Sequence, residues 1–131
     1  QQLAKQGYTQ SYTYFTWRIS KHELIEYMTE LTQTEQKEYM RPNFWPNTPD
    51  INPYHLQGAP ESMYILRYAL AATLSSNIGI YGPVFEQRID APIAGKEEYY
   101  MSEKFQLCNY DWFKENKLTT LISKINTALE R

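Results

Sequence analysis

Apolar side chains alternate along this chain between dense β-type runs and helical stripes. Tyr12-Thr-Tyr-Phe-Thr-Trp17 is packed with aromatic and β-branched residues and predicts a strand. Ser20-Lys-His-Glu23 then has the spacing of a capping box: the serine oxygen can accept from the backbone three residues on, while Glu23 reaches back. Leu24, Tyr27, Met28 and Leu31 recur at helical spacing, with Glu26, Glu30 and Glu35 off the stripe. This helix should stop by Arg41, because Pro42 disfavours helical geometry in the residue before it. Upstream, Gln1-Gln-Leu-Ala-Lys-Gln-Gly7 reads as the last turns of a helix closed by a glycine.

The pattern then repeats twice. Asn43-Phe-Trp45 predicts a short strand, and after Gly58-Ala-Pro60 a helix is expected from about Glu61 to Leu74, apolar on nearly every face and so largely buried. Ile78-Gly-Ile-Tyr81 predicts a third strand, broken at Gly82-Pro83. A long polar segment leads to a last helix with Leu118, Leu121, Ile122, Ile125 and Leu129 on one stripe. Strands alternating with helices predict an α/β fold with a parallel sheet. Three β-α units fit an open sheet or part of a closed (β/α)₈ TIM barrel, which takes about 250 residues when whole. Periodicity does not separate the two. Both ends interrupt a helical pattern, so the chain reads as a single unit, residues 1–131, cut from a longer protein as a partial barrel.

Composition narrows the classes of function. Apolar residues make up 42% and aromatics 15%, and the 12 Tyr and 3 Trp need polar partners for their hydroxyl and indole groups when buried. A net charge of −2, with no basic run among the aromatics, argues against a nucleic-acid surface. No apolar run approaches the roughly 18 residues of a membrane span. The lone Cys108 excludes an intrachain disulfide and fits a reducing compartment, so a cytoplasmic location is expected.

Candidate chemistry centres on Arg41-Pro-Asn-Phe-Trp-Pro-Asn-Thr-Pro-Asp50, where Pro42, Pro46 and Pro49 stiffen the loop that carries Asp50 beyond a strand end. Arg18 follows the first strand and Glu86 with Arg88 the third, so one rim could carry all of them. Such a cluster suits sugar or phosphate chemistry, although an ion pair between Glu86 and Arg88 is the simpler role for those two. His22 in a first helical turn and His55 in a loop lack the spacing of a metal pair and read as surface or capping residues. Gly79-Ile-Tyr-Gly82 lacks the glycines of a dinucleotide loop, Ser75-Ser76 lacks a nucleophile elbow, and Cys108 has no basic partner. No cofactor and no metal are expected.

Gly7-Tyr-Thr-Gln-Ser-Tyr-Thr-Tyr-Phe-Thr-Trp-Arg18 and the segment Arg41 to Ile51 resemble the bacterial maltosyltransferases that use maltose-1-phosphate, within the α-amylase superfamily. Leu70-Ala-Ala-Thr-Leu-Ser75, Gly79-Ile-Tyr81, Glu97-Glu-Tyr99 and Ser102-Glu-Lys104 extend the resemblance in order over essentially the whole chain. It implies the part of a catalytic (β/α)₈ barrel that holds strands six to eight. It also implies retaining transfer of maltose from maltose-1-phosphate to the non-reducing end of an α-1,4-glucan. The family's aspartate nucleophile follows strand four and its glutamic acid follows strand five, both ahead of this chain, which is then expected to be inactive alone. The second aspartate, after strand seven, maps onto Asp50 as transition-state stabiliser. The wider superfamily has a histidine before it, where this chain has Pro49. Lys104 matches the lysine that holds the donor maltosyl unit, and Phe105 stands where a tyrosine is frequent, so a hydroxyl contact there is lost.

Two other readings remain open at this level: another amylase-type hydrolase or branching enzyme, and a non-catalytic carbohydrate-binding module. If the barrel is cut after strand five, sheet edges at Tyr12–Trp17 and Ile78–Tyr81 are left unpaired, and a homodimer is expected.

Overall fold

The computed structural model describes residues 1–130. Three short parallel strands, β1 (Ser11–Tyr12), β2 (Pro42–Phe44) and β3 (Asn77–Ile78), form one sheet in the order β1-β2-β3. Ser11 lies opposite Pro42, and Phe44 opposite Ile78. Around the sheet run α1 (Gln2–Lys5), α2 (Lys21–Gln33), α3 (Gln36–Tyr39), α4 (Glu61–Leu74) and α5 (Lys117–Leu129). The α/β class and the parallel pairing agree with the alternation of patterns, and β1 and β3 are the sheet edges.

The helices sit where their periodicity puts them. α2 opens on the Ser20–Glu23 capping box, with the Glu23 amide 3.2 Å from the serine oxygen and the Ser20 amide 2.8 Å from the Glu23 carboxylate. Those bonds hold the Glu23 carboxyl below its usual range. Tyr27 and Leu31 carry the buried stripe of α2 onto Phe15, Phe44 and Ala71, with Phe15 and Phe44 stacked at 4.6 Å. α2 ends at Gln33, and the separate turn α3 covers the remaining distance to Arg41. α4 is open to solvent only along Ser62, Leu66 and Thr73, and packs through Tyr64, Tyr68 and Ala72 on Phe85, Leu118 and Ile122.

Two strands are shorter than expected, for the same physical reason: side chains take over from the backbone ladder. The predicted strand Tyr12–Trp17 leaves the sheet at Thr13 and becomes a 3₁₀ turn over Tyr14–Trp17. Thr13 Oγ1 donates to the Asn43 carbonyl at 3.0 Å, and Thr16 Oγ1 donates to that of Trp45 at 2.6 Å. The predicted strand Ile78–Tyr81 pairs as β3 only to Ile78, and the Gly79 amide adds one more bond to the Phe44 carbonyl at 3.0 Å. Beyond it the Asn47 side chain acts as a substitute strand: its oxygen accepts from the Tyr81 amide at 2.9 Å and its nitrogen donates to the Tyr81 carbonyl at 3.2 Å. Gly79 is required by packing, because any side chain there would overlap the Trp45 ring.

α4 hides one residue that its apolar pattern did not announce. Arg67 is 1% exposed, and its guanidinium lies 4.1 Å from the centre of the Phe15 ring. It donates to the carbonyls of Phe15 and Arg18 at 2.6 and 2.7 Å. Burial lowers its pKa to about 10, so it stays charged at neutral pH and pins the turn after β1 to α4.

Candidate functional site

Beyond the end of β2 the chain enters a loop whose base is buried and whose tip is exposed. Pro46, Asn47, Asn52 and Pro53 are all buried. Between them Thr48 and Ile51 exchange backbone hydrogen bonds at 3.1 and 3.2 Å, closing a tight turn around Pro49 and Asp50. The turn is anchored on both sides. Asn47 reaches Tyr81 and donates to the Tyr99 hydroxyl at 2.9 Å, while Asn52 donates through its side chain to the Asp90 carbonyl at 2.8 Å. Prolines restrict φ and these bonds restrict the rest, so the Asp50 backbone is held although its side chain is 71% exposed.

The Asp50 carboxylate meets Lys104 Nζ at 2.6 Å. Lys104 is 37% exposed, and its hydrogen bond to Asp50 raises its pKa, with Glu98 adding to the effect. The two residues singled out in the sequence are thus in direct contact, although 54 positions separate them. Asp50 stands where two clefts meet. One, of about 380 Å³, is aromatic and is lined by Tyr12, Thr16, Trp17, Trp45 and Pro49. The other, of about 480 Å³, is polar and is lined by Tyr54, Lys96, Glu97, Glu98 and Lys104. Aromatic faces beside a carboxylate and an ammonium suit a polyhydroxylated ligand, whose C–H faces pack on rings while its hydroxyls bond to the charges.

The other rim candidates do not join this pair. Arg18 stacks at 5.6 and 5.4 Å over the rings of Tyr14 and Tyr27 and lines neither Asp50 cleft. Glu86 turns inward against Gly82, with one carboxylate oxygen buried and without a hydrogen-bond partner. Among the described residues it makes no ion pair with Arg88, which instead takes a left-handed backbone conformation at φ 52°. The expected Glu86–Arg88 pair is therefore absent: the turn after Pro83 points the two side chains to different surroundings.

His55 also departs from expectation. Its Nε2 is buried without a partner, and burial beside the Arg67 charge lowers its pKa to about 4, so it is neither a surface nor a capping residue. Cys108 is half-buried, with Sγ 3.4 Å from the Met101 carbonyl. Among the described residues no group of three His, Cys, Asp or Glu side chains could hold a metal ion, and no helix is long and apolar enough to cross a membrane.

Sequence reasoning missed the walls of the aromatic cleft. Trp17 and Trp45 entered it only as strand formers, and Glu97 only as part of a motif. The signal available was that both tryptophans close aromatic runs that begin at or beside a strand, on the side where parallel sheets collect ligand groups.

The structure is a three-stranded α/β unit with the Asp50–Lys104 pair beyond its sheet, and comparison with known proteins places the chain among its relatives. Over about 95% of its length the chain is homologous to a segment of proteins named alpha-1,4-glucan:maltose-1-phosphate maltosyltransferase. It is 58% identical over 124 residues to that of Chlorobaculum tepidum, covering 95% of this chain and 18% of the relative. The Methylacidiphilum infernorum protein is 53% identical, with 95% and 19% covered. The Burkholderia pseudomallei protein is 49% identical, with 96% and 11% covered. The chain therefore spans less than a fifth of the length of these relatives. A scan against models of protein families finds none that matches.

Proposed function

We propose that this chain, residues 1–131, is the part of a catalytic (β/α)₈ barrel domain that carries strands six to eight of a retaining maltosyltransferase. Its substrates are maltose-1-phosphate and an α-1,4-glucan, and its product is a longer α-1,4-glucan with release of inorganic phosphate. The observation that carries this reading is the Asp50–Lys104 contact of 2.6 Å at the junction of an aromatic and a polar cleft. That the relatives carry this activity in their names supports it.

In this reading the nucleophilic aspartate and the acid come from strands four and five, outside this chain. The nucleophile displaces phosphate from the anomeric carbon, and the acceptor's terminal hydroxyl then displaces the nucleophile, so the configuration is retained. Asp50 performs neither step. Its fixed negative charge stabilises the positive charge that develops on the anomeric carbon and ring oxygen, and its oxygens orient the sugar hydroxyls. Lys104 lies beside it with three donors for hydroxyls of the donor maltosyl unit and for Asp50 itself. The chain alone is catalytically silent and pairs with a second copy as a homodimer through its open strands β1 and β3, whereas the whole enzyme works in the cytoplasm without cofactor or metal.

The test uses the full-length enzyme with maltose-1-phosphate and a maltooligosaccharide. Stoichiometric phosphate release with acceptors lengthened by one maltosyl unit is the expected result. Free maltose without extension would make it a hydrolase, and saccharide binding without turnover a binding module. Either outcome overturns the assignment.

A further inference from the structure

We infer that Glu97 is a positioning residue for the acceptor glucan, holding the Trp17 indole as one wall of the aromatic cleft beside Asp50; this rests on the reading of the chain as part of a maltosyltransferase. Two carboxylate oxygens serve two different segments. Oε2 accepts from Trp17 Nε1 at 3.0 Å, and Oε1 accepts from the Tyr54 amide at 3.3 Å. The first donor belongs to the turn that follows β1 and the second to the loop that carries Asp50. A single side chain thus bridges 80 positions in one direction and 43 in the other.

The two tryptophans of the cleft are held differently. Trp45 is seated against Gly79 and faces Tyr12 with ring centres 5.2 Å apart, so packing fixes it. Trp17 is 39% exposed, at the end of the 3₁₀ turn, and the Glu97 bond is the hydrogen bond its indole makes. Glu97 can set that plane because its own backbone is fastened. Its carbonyl accepts from the Asn52 amide at 2.9 Å, and the turn before it closes through the Ile93 amide and the Glu98 carbonyl at 2.8 Å. Tyr54 Oη adds a bond to the Gly95 carbonyl at 3.1 Å. A carboxylate is the residue type that this geometry needs, since both partners are N–H donors and glutamine offers only one acceptor atom.

Position decides which substrate feels it. Lys104, assigned to the donor, lies on the polar side of Asp50, and the Trp17 face lies on the other side. The ring therefore meets the incoming glucan, with its plane set for stacking on a pyranose face.

Three variants of the full-length enzyme test this: Glu97→Gln, Trp17→Phe, and both together. Glu97→Gln leaves the whole indole in place and so isolates the bond, whereas Trp17→Phe removes the N–H donor together with part of the stacking face. Transfer kinetics would be measured against maltooligosaccharide and maltose-1-phosphate separately, with maltooligosaccharide affinity taken by calorimetry. Glu97→Gln is expected to raise the acceptor KM and Kd about tenfold, Trp17→Phe at least as much, the double variant no more than Trp17→Phe alone, and the donor KM to stay unchanged. Effects that multiply in the double variant, or that appear only as a lower melting temperature, would overturn the inference. If the Kd pattern holds but no maltosyl group is transferred from maltose-1-phosphate, the positioning role stands and the proposed reaction fails. If the wild-type enzyme binds no maltooligosaccharide, both fall.

Discussion

On the helix side of the sheet, Phe15, Phe44 and Tyr27 pack ring on ring under α2 and α4, whereas beyond the strand ends a small apolar cluster of Tyr81, Val84 and Tyr99 is supplemented by side-chain hydrogen bonds between loops. There Asn47, Asn52, Gln57, Asp90 and Glu97 tie one loop to another by side-chain bonds to distant backbone. The two regions fail differently. Burial is non-directional and tolerates small shifts of its members, so the core supplies stability. A hydrogen bond has a length and an angle, so the rim supplies position.

If this division is right, the largest effect on stability belongs to the core. Phe44→Ala removes a ring that is fully buried between Phe15 and Tyr27. It should cost about 3–5 kcal/mol of folding free energy, because the surrounding rings relax only partly into the space left. Denaturant unfolding of the full-length variant measures it; a loss comparable to that of a surface substitution would mean the stack is not the anchor described above.

Asp50→Asn addresses the rim and should leave the melting temperature nearly unchanged, since the carboxylate is largely exposed. Transfer should nevertheless slow by about two to three decades, the usual scale for one charge aimed at the transition state. The amide keeps the shape and loses the charge, so near-normal turnover in the variant would remove Asp50 from the reaction.

How much of this was legible in the sequence follows the same division. The stripes Leu24–Leu31 and Leu118–Leu129 are local and periodic, and the helices were found there. The first and third strands were overestimated because aromatic and β-branched density reports a preference for a pleated, half-buried surface. It cannot reveal that Thr13, Thr16 and Asn47 would substitute for backbone partners. Asp50 was visible through its three prolines. Lys104 was visible only through family resemblance, and its contact with Asp50 depends on the course of the 90–104 segment, which carries no periodic signal. Arg67 and Glu97 were invisible for a related reason. A buried guanidinium bonded to two carbonyls, and a carboxylate bonded to two N–H groups, have partners too far away in sequence to leave a spacing.

A smaller effect is expected at Lys104. Lys104→Met should raise the KM for maltose-1-phosphate roughly tenfold and lower kcat less, because a donor bonded to a remote part of the substrate binds ground and transition states alike. Steady-state kinetics at varied donor concentration separate the two. A fall in kcat with KM unchanged would mean that the lysine acts through its 2.6 Å contact with Asp50 instead.

The smallest effect comes from where core and rim meet. His55 lies in the loop after Asp50, yet its ring is turned inward toward the Arg67 charge, and its folded pKa is lowered to about 4 from the usual 6.5. The sign follows from which state takes the proton first. As pH falls below about 6.5 the unfolded chain protonates this ring while the folded one does not, so stability is lost progressively until about pH 4, where the folded form protonates too. The ring is partly open to water, so the loss is on the order of 1 kcal/mol rather than the full equivalent of the shift. His55→Gln removes the titration and should flatten that part of the stability profile between pH 6.5 and 4, while the carboxylates keep their own acid limb below it. Melting temperatures of wild type and variant across that window make the comparison. Parallel curves would mean that His55 is solvated in the folded protein, and that the rim is less firmly joined to the core than the Arg67 geometry requires.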